Sequence, residues 1–390
     1  MAPISSAERD CLILDIKQSL APTLYACSSL EGIGAGTTSF VFLGTPAQPQ
    51  HSDDGDSEST FIVKYAAGFI SCNQDFPLDA SRCKYEALML SALRNFRPPF
   101  TPTSQVIINT PHLHHFEEAA NVEVIEYFPN AITLKEALPS LSPSQAGSVG
   151  HALGSWLRSF HSWSSTPENV ELKNKVGENE KMKALKWKIT YEQGSDVLKR
   201  FPETIGNDEQ TIWEEIKASE RGEMDGDKCN GAGNEWGIIH GDFWSGNVLI
   251  SDFPFSGPLR LHVIDFEFAQ VSHRSTDLDQ FIGDLLERQH FNPSFATSIP
   301  VLIDHFLQGY GPIDDDLAFR TAVYAGVHEI NWWSRGPNLT RSEEGKELVK
   351  KAWNMVERAW RRDAAWLNDN ESGLGEYQTN TSHFWRRSLQ

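Results

Sequence analysis

The sequence predicts an α+β protein of two lobes, in which a small antiparallel sheet with one packed helix precedes a larger, mostly helical region. Two observations predict it. Up to residue 128, short apolar and β-branched runs alternate with turn residues around a single stretch of helical periodicity. From residue 133 onward helical spacing dominates, interrupted only by short apolar strands between residues 236 and 270. The 390 residues suffice for one two-lobed protein with an insertion.

An amphipathic helix is expected around residues 5 to 20. LEGIGAGTTSFVFLG then reads as strand, glycine turn and strand. Residues 45 to 60, rich in Pro, Gly and Asp, form a surface loop leading to a third strand, FIVKYA. From Leu78 to Asn95 the apolar Ala87, Leu88, Leu90 and Leu93 recur at helical spacing, and RPP stops the helix. HLHHFEE and NVEVIEYF return the chain to strands, closing a first lobe at residues 1–128. Residues 133 to 163 are expected to be helical, with Ala152, Leu153, Trp156, Leu157 and Phe160 on one face. The charged, largely helical stretch that follows reads as an insertion over about 166–235 in a second lobe of residues 129–367. IIHGDFWSGNVLI and LHVIDFEFAQ read as two strands around a turn at DFPFSGP. Helices resume from about 275, and residues 368–390 form a polar tail.

The net charge of -19, from 53 acidic and 34 basic residues, would repel nucleic acid and anionic lipid surfaces. The excess serves solubility or attracts a cationic substrate such as an amine. Five scattered cysteines lack the paired spacing of a zinc site and read as reduced thiols. Charged residues interrupt the N-terminal segment, and no run reaches about 18 apolar residues, so a cytoplasmic protein without a membrane span is expected.

Phosphoryl transfer requires an oriented nucleophile, neutralised phosphate charge and a metal fixed between them. In HGDFWSGN, Asp242 stands five positions before Asn247, and Asp265 follows after a strand, turn and strand. That is the spacing of a catalytic loop followed by a metal-binding aspartate, with hard oxygen ligands suited to magnesium. His240 reads as an internal brace of the loop. Glu267, two residues beyond Asp265, falls on the same side of a continuing strand, either as a metal ligand or at the surface.

Upstream, Lys64 lies in a strand between Val63 and Tyr65, where an inward-facing lysine needs an anionic partner. Bound phosphates and a helix carboxylate would serve, and Glu86 in KYEALML is the candidate carboxylate, in competition with Glu117 and Glu118. Gly32, Gly34 and Gly36, followed by Thr37, Thr38 and Ser39, would allow backbone and hydroxyl groups to approach ATP phosphates closely. No Gly-Lys-Ser/Thr follows, so this is not a Walker loop.

Together these residues resemble the aminoglycoside phosphotransferase and choline kinase superfamily, the small-molecule branch of the protein-kinase-like fold. HGDFWSGNVL and VIDFEFA resemble its Brenner and metal-binding motifs, and the WSGN wording is similar to fungal small-molecule kinases. The resemblance implies ATP and Mg2+ as cofactors, Asp242 as base, Asn247 and Asp265 as magnesium ligands, and Lys64 as phosphate anchor. It also implies Glu126, Tyr127 and Phe128 as the adenine-binding linker. Asp277 matches the family's acidic residue after the metal motif. DFE in place of DFG, with no activation segment, argues against a protein substrate. Asp284, His328, Glu329, Trp332 and Trp333 are candidates for recognising the acceptor, since an acidic and aromatic pocket would suit an amine-bearing metabolite or an aminoglycoside-like compound. A catalytically silent nucleotide-binding module and a protein Ser/Thr kinase are the alternative readings.

Overall fold

Ser5 and Glu8 close a capping box at the start of the first helix, Ser6–Leu20, where each side chain satisfies the other's backbone N–H. This helix belongs to the first of two units in the computed structural model, which describes residues 4–33, 36–48, 60–98, 106–225, 235–251, 258–333 and 342–368. The first unit comprises Met1–Asn95, Thr110–Asn130 and Ile264–Ala269. Its five-stranded sheet runs, in spatial order, Cys27–Gly32, Phe40–Pro46, Phe61–Tyr65, Val122–Glu126 and Leu113–Glu117, with every neighbouring pair antiparallel.

Alternation along the middle strands sends side chains to opposite faces. Phe61, Val63, Val122 and Val124 pack in one core with Ile16 and Leu20 of the first helix. Lys64 therefore faces the other way, onto the helix Arg82–Leu93, whose Arg82, Glu86, Met89, Leu90 and Leu93 are buried at helical spacing. The small antiparallel sheet is as the sequence predicts, but helices pack on both of its faces, Ser6–Leu20 on one and Arg82–Leu93 on the other, the latter shorter at both ends than 78–95. A minor hairpin of Phe69–Ile70 and Asn73–Pro77 follows the strand Phe61–Tyr65 along the chain.

The second unit comprises Phe96–Asn109, Ala131–Val263 and Gln270–Gln390. It is mostly helical, as predicted, around two small sheets. One sheet runs Val106–Asn109, Leu259–Val263, Val248–Ser251 and Ile132–Thr133; the other pairs Trp236–Ile239 with Gln270–His273. Each of the two predicted strand segments is thus divided between sheets. Because Trp236–Ile239 does not pair with Val248–Ser251, residues 240–247 form a loop between ladders rather than part of one. The predicted turn at 252–257 lies outside the described residues. The two units are discontinuous along the chain. Residues 106–109 hydrogen-bond in parallel with 259–263, and 265–267 are tied to side chains of the first unit.

The insertion is helical at Val170–Gly177, Glu180–Trp187, Gln193–Leu198 and Asn207–Asp225, with a π-helical turn at Lys188–Glu192. The helix Pro143–Trp163 packs closely on Ser298–Tyr310. A Cβ at Gly154 would stand 1.9 Å from the Phe306 carbonyl oxygen, and one at Gly150 would stand 2.2 Å from that of Leu302. Backbone thus meets backbone, leaving no room for a side chain. We expect Gly154→Val to cost at least about 1–3 kcal/mol by overpacking. Gly68→Ala, where nothing lies within 4 Å, should be near neutral in the same calorimetric scan. Equal midpoints for the two variants would contradict the close packing. Among the described residues, no helix is long and apolar enough to cross a membrane.

Candidate active site

In the first unit, strand register places Lys64 opposite Glu123. The Lys64 ammonium donates to Glu86 Oε2 at 2.5 Å and to Asp265 Oδ1 at 2.7 Å. Burial alone would lower the Lys64 pKa, but Asp265, Glu86 and Glu123 outweigh it and hold the lysine well above its ordinary value, so it stays charged. Beside it, the fully buried Arg82 donates through Nε to Glu267 Oε2 at 3.0 Å and through its other nitrogens to the carbonyls of Ala67, Asp79 and Thr38.

Four carboxyl groups, Glu86, Glu123, Asp265 and Glu267, therefore share the company of two cations. The electrostatics respond accordingly. Burial first, then the charge of Glu86, raises the Glu123 pKa well above the carboxylate range. Burial and the charge of Asp265, opposed by Arg82, push Glu267 to about 7. Oxygens of Glu86, Asp265 and Glu267 lie within 4.8 Å of one another. An excess of hard, closely spaced oxygen donors over positive charge fits a magnesium ion.

One expectation is corrected here. Of the two places left open to Glu267, the surface is not where it lies: it is 2% exposed and engaged by Arg82. Nor does it lie on a continuing strand. Asp265 adopts a left-handed backbone with φ of 72°, and Phe266–Phe268 form a 3-10 turn, so strand alternation does not apply. The aspartate is held in that sparsely occupied region by Lys64.

Gly34 lies outside the described residues. Ser39 is buried, its hydroxyl between Arg82 Nη2 at 3.2 Å and Glu267 at 3.4 Å, so it faces the charged cluster. Gly36 permits a tight fold of its own loop, since a Cβ there would stand 2.1 Å from the Ser39 carbonyl oxygen. The Thr37 and Thr38 carbonyls accept from Ser71 and Arg82. Glu126 accepts from the His112 N–H at 3.1 Å and ends its strand, with Tyr127 and Phe128 following, half-buried.

In the second unit, the loop 240–247 brings Asp242 and Asn247 together. Asn247 Nδ2 donates to both the carbonyl oxygen and Oδ2 of Asp242, each at 2.9 Å. Gln280 Nε2 donates to Asp242 Oδ1 at 2.6 Å, and Lys186 Nζ stands 3.5 Å from the same oxygen. His240 is buried and accepts from the Asp242 N–H at 3.2 Å, acting as the internal brace the sequence suggested. Asp277, fully buried, accepts from the N–H groups of His240 at 2.8 Å and Gly241 at 2.9 Å, and pairs with His161 at 2.9 Å.

The acceptor candidates divide. Asp284 accepts from the Ser245 N–H and hydroxyl, at 3.2 and 2.5 Å, and from Arg288 at 2.7 Å, so it fastens the loop. Trp333 packs in the core near Phe201 and Phe291. Glu329 is buried, and burial pushes its carboxyl to about 8 against the attraction of Lys351. His328 and Trp332, with rings stacked at 5.8 Å, line a pocket together with Lys186 and Gln280.

Sequence reasoning did not single out Arg82, Glu123, Gln280 or Lys186. Signals existed for the first two: Arg82 precedes Glu86 by four residues on the same helix stripe, and Glu123 interrupts an apolar strand as Lys64 does. For Gln280 and Lys186 there was none.

A family model described as a phosphotransferase enzyme family matches residues 52–321. The chain is 27% identical over 377 residues to Phosphotransferase FrzJ of Cladobotryum sp, covering 91% of this chain and 94% of that protein. Among solved structures, a choline/ethanolamine kinase family protein from Mesorhizobium loti aligns with a TM-score of 0.47 and 13% identity, over 90% of this chain and 98% of that one. Choline kinase LicA from Streptococcus pneumoniae aligns with a TM-score of 0.44 and 14% identity, over 90% of this chain and 99% of that one.

Proposed function

The chain belongs to the phosphotransferase enzyme family, and from that premise we propose that it transfers the γ-phosphate of ATP to a hydroxyl group of a small molecule, in a cytoplasmic setting. The observation that carries the proposal is the loop HGDFWSGN, folded so that the Asn247 amide and the Gln280 amide both bind the Asp242 carboxylate. Asp242 is oriented as a base must be, with one oxygen fixed by each amide. It takes the acceptor's hydroxyl proton as that oxygen bonds to the γ-phosphorus, while the bond from phosphorus to the β-γ bridging oxygen breaks and ADP departs with the electron pair. Asn247 and Asp265 are assigned to hold magnesium, with Glu267 as a further ligand. When bound, the ion neutralises charge on the phosphates.

Lys64 is assigned to the phosphates of ATP. Its charge is secured by Asp265 and Glu86, so it meets an anion as a cation at any physiological pH. Glycine-rich residues 32–39 and the linker 126–128 are assigned to the rest of the nucleotide. Chelation of magnesium should abolish turnover. Lys64→Met should raise the KM for ATP by about tenfold or more, the loss of one charge-assisted contact. Steady-state kinetics at varied ATP and magnesium checks both, and full activity in the presence of chelator would exclude the proposal.

A further inference from the structure

The pocket of the second unit that holds His328 and Trp332 is walled by aromatic rings, and it shares two side chains with the surroundings of Asp242. Trp187, Tyr191, Trp236, Tyr324 and Trp332 supply the rings. Lys186 and Gln280 line the pocket and also reach Asp242 Oδ1, at 3.5 and 2.6 Å. A hydroxyl presented to Asp242 from this side would carry the rest of its molecule among the rings.

Two of the pocket's three acidic residues are already engaged. Arg320 donates to both oxygens of Glu223, at 2.9 and 2.6 Å, and also to Glu220, which accepts in addition from the Tyr324 hydroxyl. Asp279 lies deep in the wall, where burial, opposed by the charge of Lys186, holds its carboxyl well above the usual range. Two of the aromatic faces are taken as well. The Arg221 guanidinium stands 5.1 Å from the Trp187 ring centre, and that of Arg320 stands 5.0 Å from that of Tyr324. A cationic acceptor would find Glu220, Glu223 and two of the ring faces held by arginine, and would meet Lys186 beside the base. An uncharged ring would meet no repulsion from Lys186, Arg221 or Arg320 and would gain apolar contact.

We infer that this pocket is the acceptor subsite, and that it takes an uncharged aromatic alcohol whose ring lies among Trp187, Tyr191 and Trp332. The inference rests on the phosphotransferase reading and narrows it, setting aside the amine-bearing acceptor that an acidic, aromatic sequence suggests.

The test uses the full chain and three probes: 2-(2-naphthyl)ethanol, choline and kanamycin. Calorimetric titration without nucleotide measures binding, and transfer of labelled γ-phosphate from magnesium ATP measures reaction. We expect the naphthyl alcohol to bind at least about tenfold more tightly than either cation, and Trp332→Ala to weaken it about tenfold, with Trp332→Phe restoring most of the affinity. Tighter binding of choline or kanamycin, no binding of the naphthyl alcohol, or affinity unmoved by Trp332→Ala would overturn the inference. The wild-type comparison decides even where Trp332→Ala fails to fold. Binding of the naphthyl alcohol without phosphate transfer supports the aromatic subsite and counts against the phosphotransferase chemistry instead.

Discussion

Asp242→Asn is expected to lower kcat by about 10³-fold, within the range that a positioned general base contributes. The substitution preserves shape, and the contact from Asn247 Nδ2 to the main-chain carbonyl of residue 242 at 2.9 Å is untouched. What disappears is the negative charge that accepts the hydroxyl proton. Gln280 and Lys186, which now face a carboxylate oxygen, would face an amide that can still accept a hydrogen bond. Loss should therefore fall on kcat, with the KM for ATP changed by no more than about twofold. Steady-state kinetics separates the two constants. A variant that kept more than about a tenth of the wild-type kcat would remove Asp242 from the role of base.

The second large effect is expected at a residue that touches neither substrate nor metal. Asp277 is fully buried and accepts three hydrogen bonds, two from the backbone of the catalytic loop and one from His161 Nε2. His161 in turn shares its Nδ1 with the Tyr310 hydroxyl at 3.0 Å, linking the loop to two helices. Asp277→Ala would strand the His240 and Gly241 N–H groups in the core. Each buried unsatisfied donor costs about 1–3 kcal/mol, and a broken buried charged network about 3–5 kcal/mol in all. Thermal unfolding should show a clear drop in midpoint, accompanied by lost turnover because the loop carrying Asp242 loses its brace. Asp277→Asn, which retains one acceptor oxygen, should lie between the two. A midpoint unchanged in Asp277→Ala would contradict this role.

The half-sites were legible in the sequence to different depths, for a physical reason. Asp242 and Asn247 sit in one short loop, where spacing alone brings them within reach, and the structure joins them by two hydrogen bonds. Lys64 and Glu86 were legible because a charge inside an apolar strand or on a buried helix stripe demands a partner, and the packing of helix on sheet supplies it. Glu123 was not proposed, although it faces Lys64 across the ladder, because cross-strand register is invisible before pairing is known. Gln280 and Lys186 come from helices 38 and 56 residues from Asp242 along the chain and meet it only through tertiary packing. For Glu267 only the route differs, because alternation assumes a strand and the positive φ of Asp265 ends one. The parallel pairing of Val106–Asn109 with Leu259–Val263 escaped notice because no turn connects them. Asp284 and Trp333 illustrate the converse. Their residue types suggested recognition, whereas burial gives them the loop and the core.

The most direct measurement follows the label of γ-labelled ATP, with magnesium, in a mixed pool of alcohol-bearing small molecules. We expect it to appear in a small organic phosphate ester, and to be absent from that fraction when magnesium is chelated or Asp242 is replaced by asparagine. Label found only in inorganic phosphate or on protein, under the same conditions, would contradict a small-molecule phosphotransferase that uses Asp242 as its base.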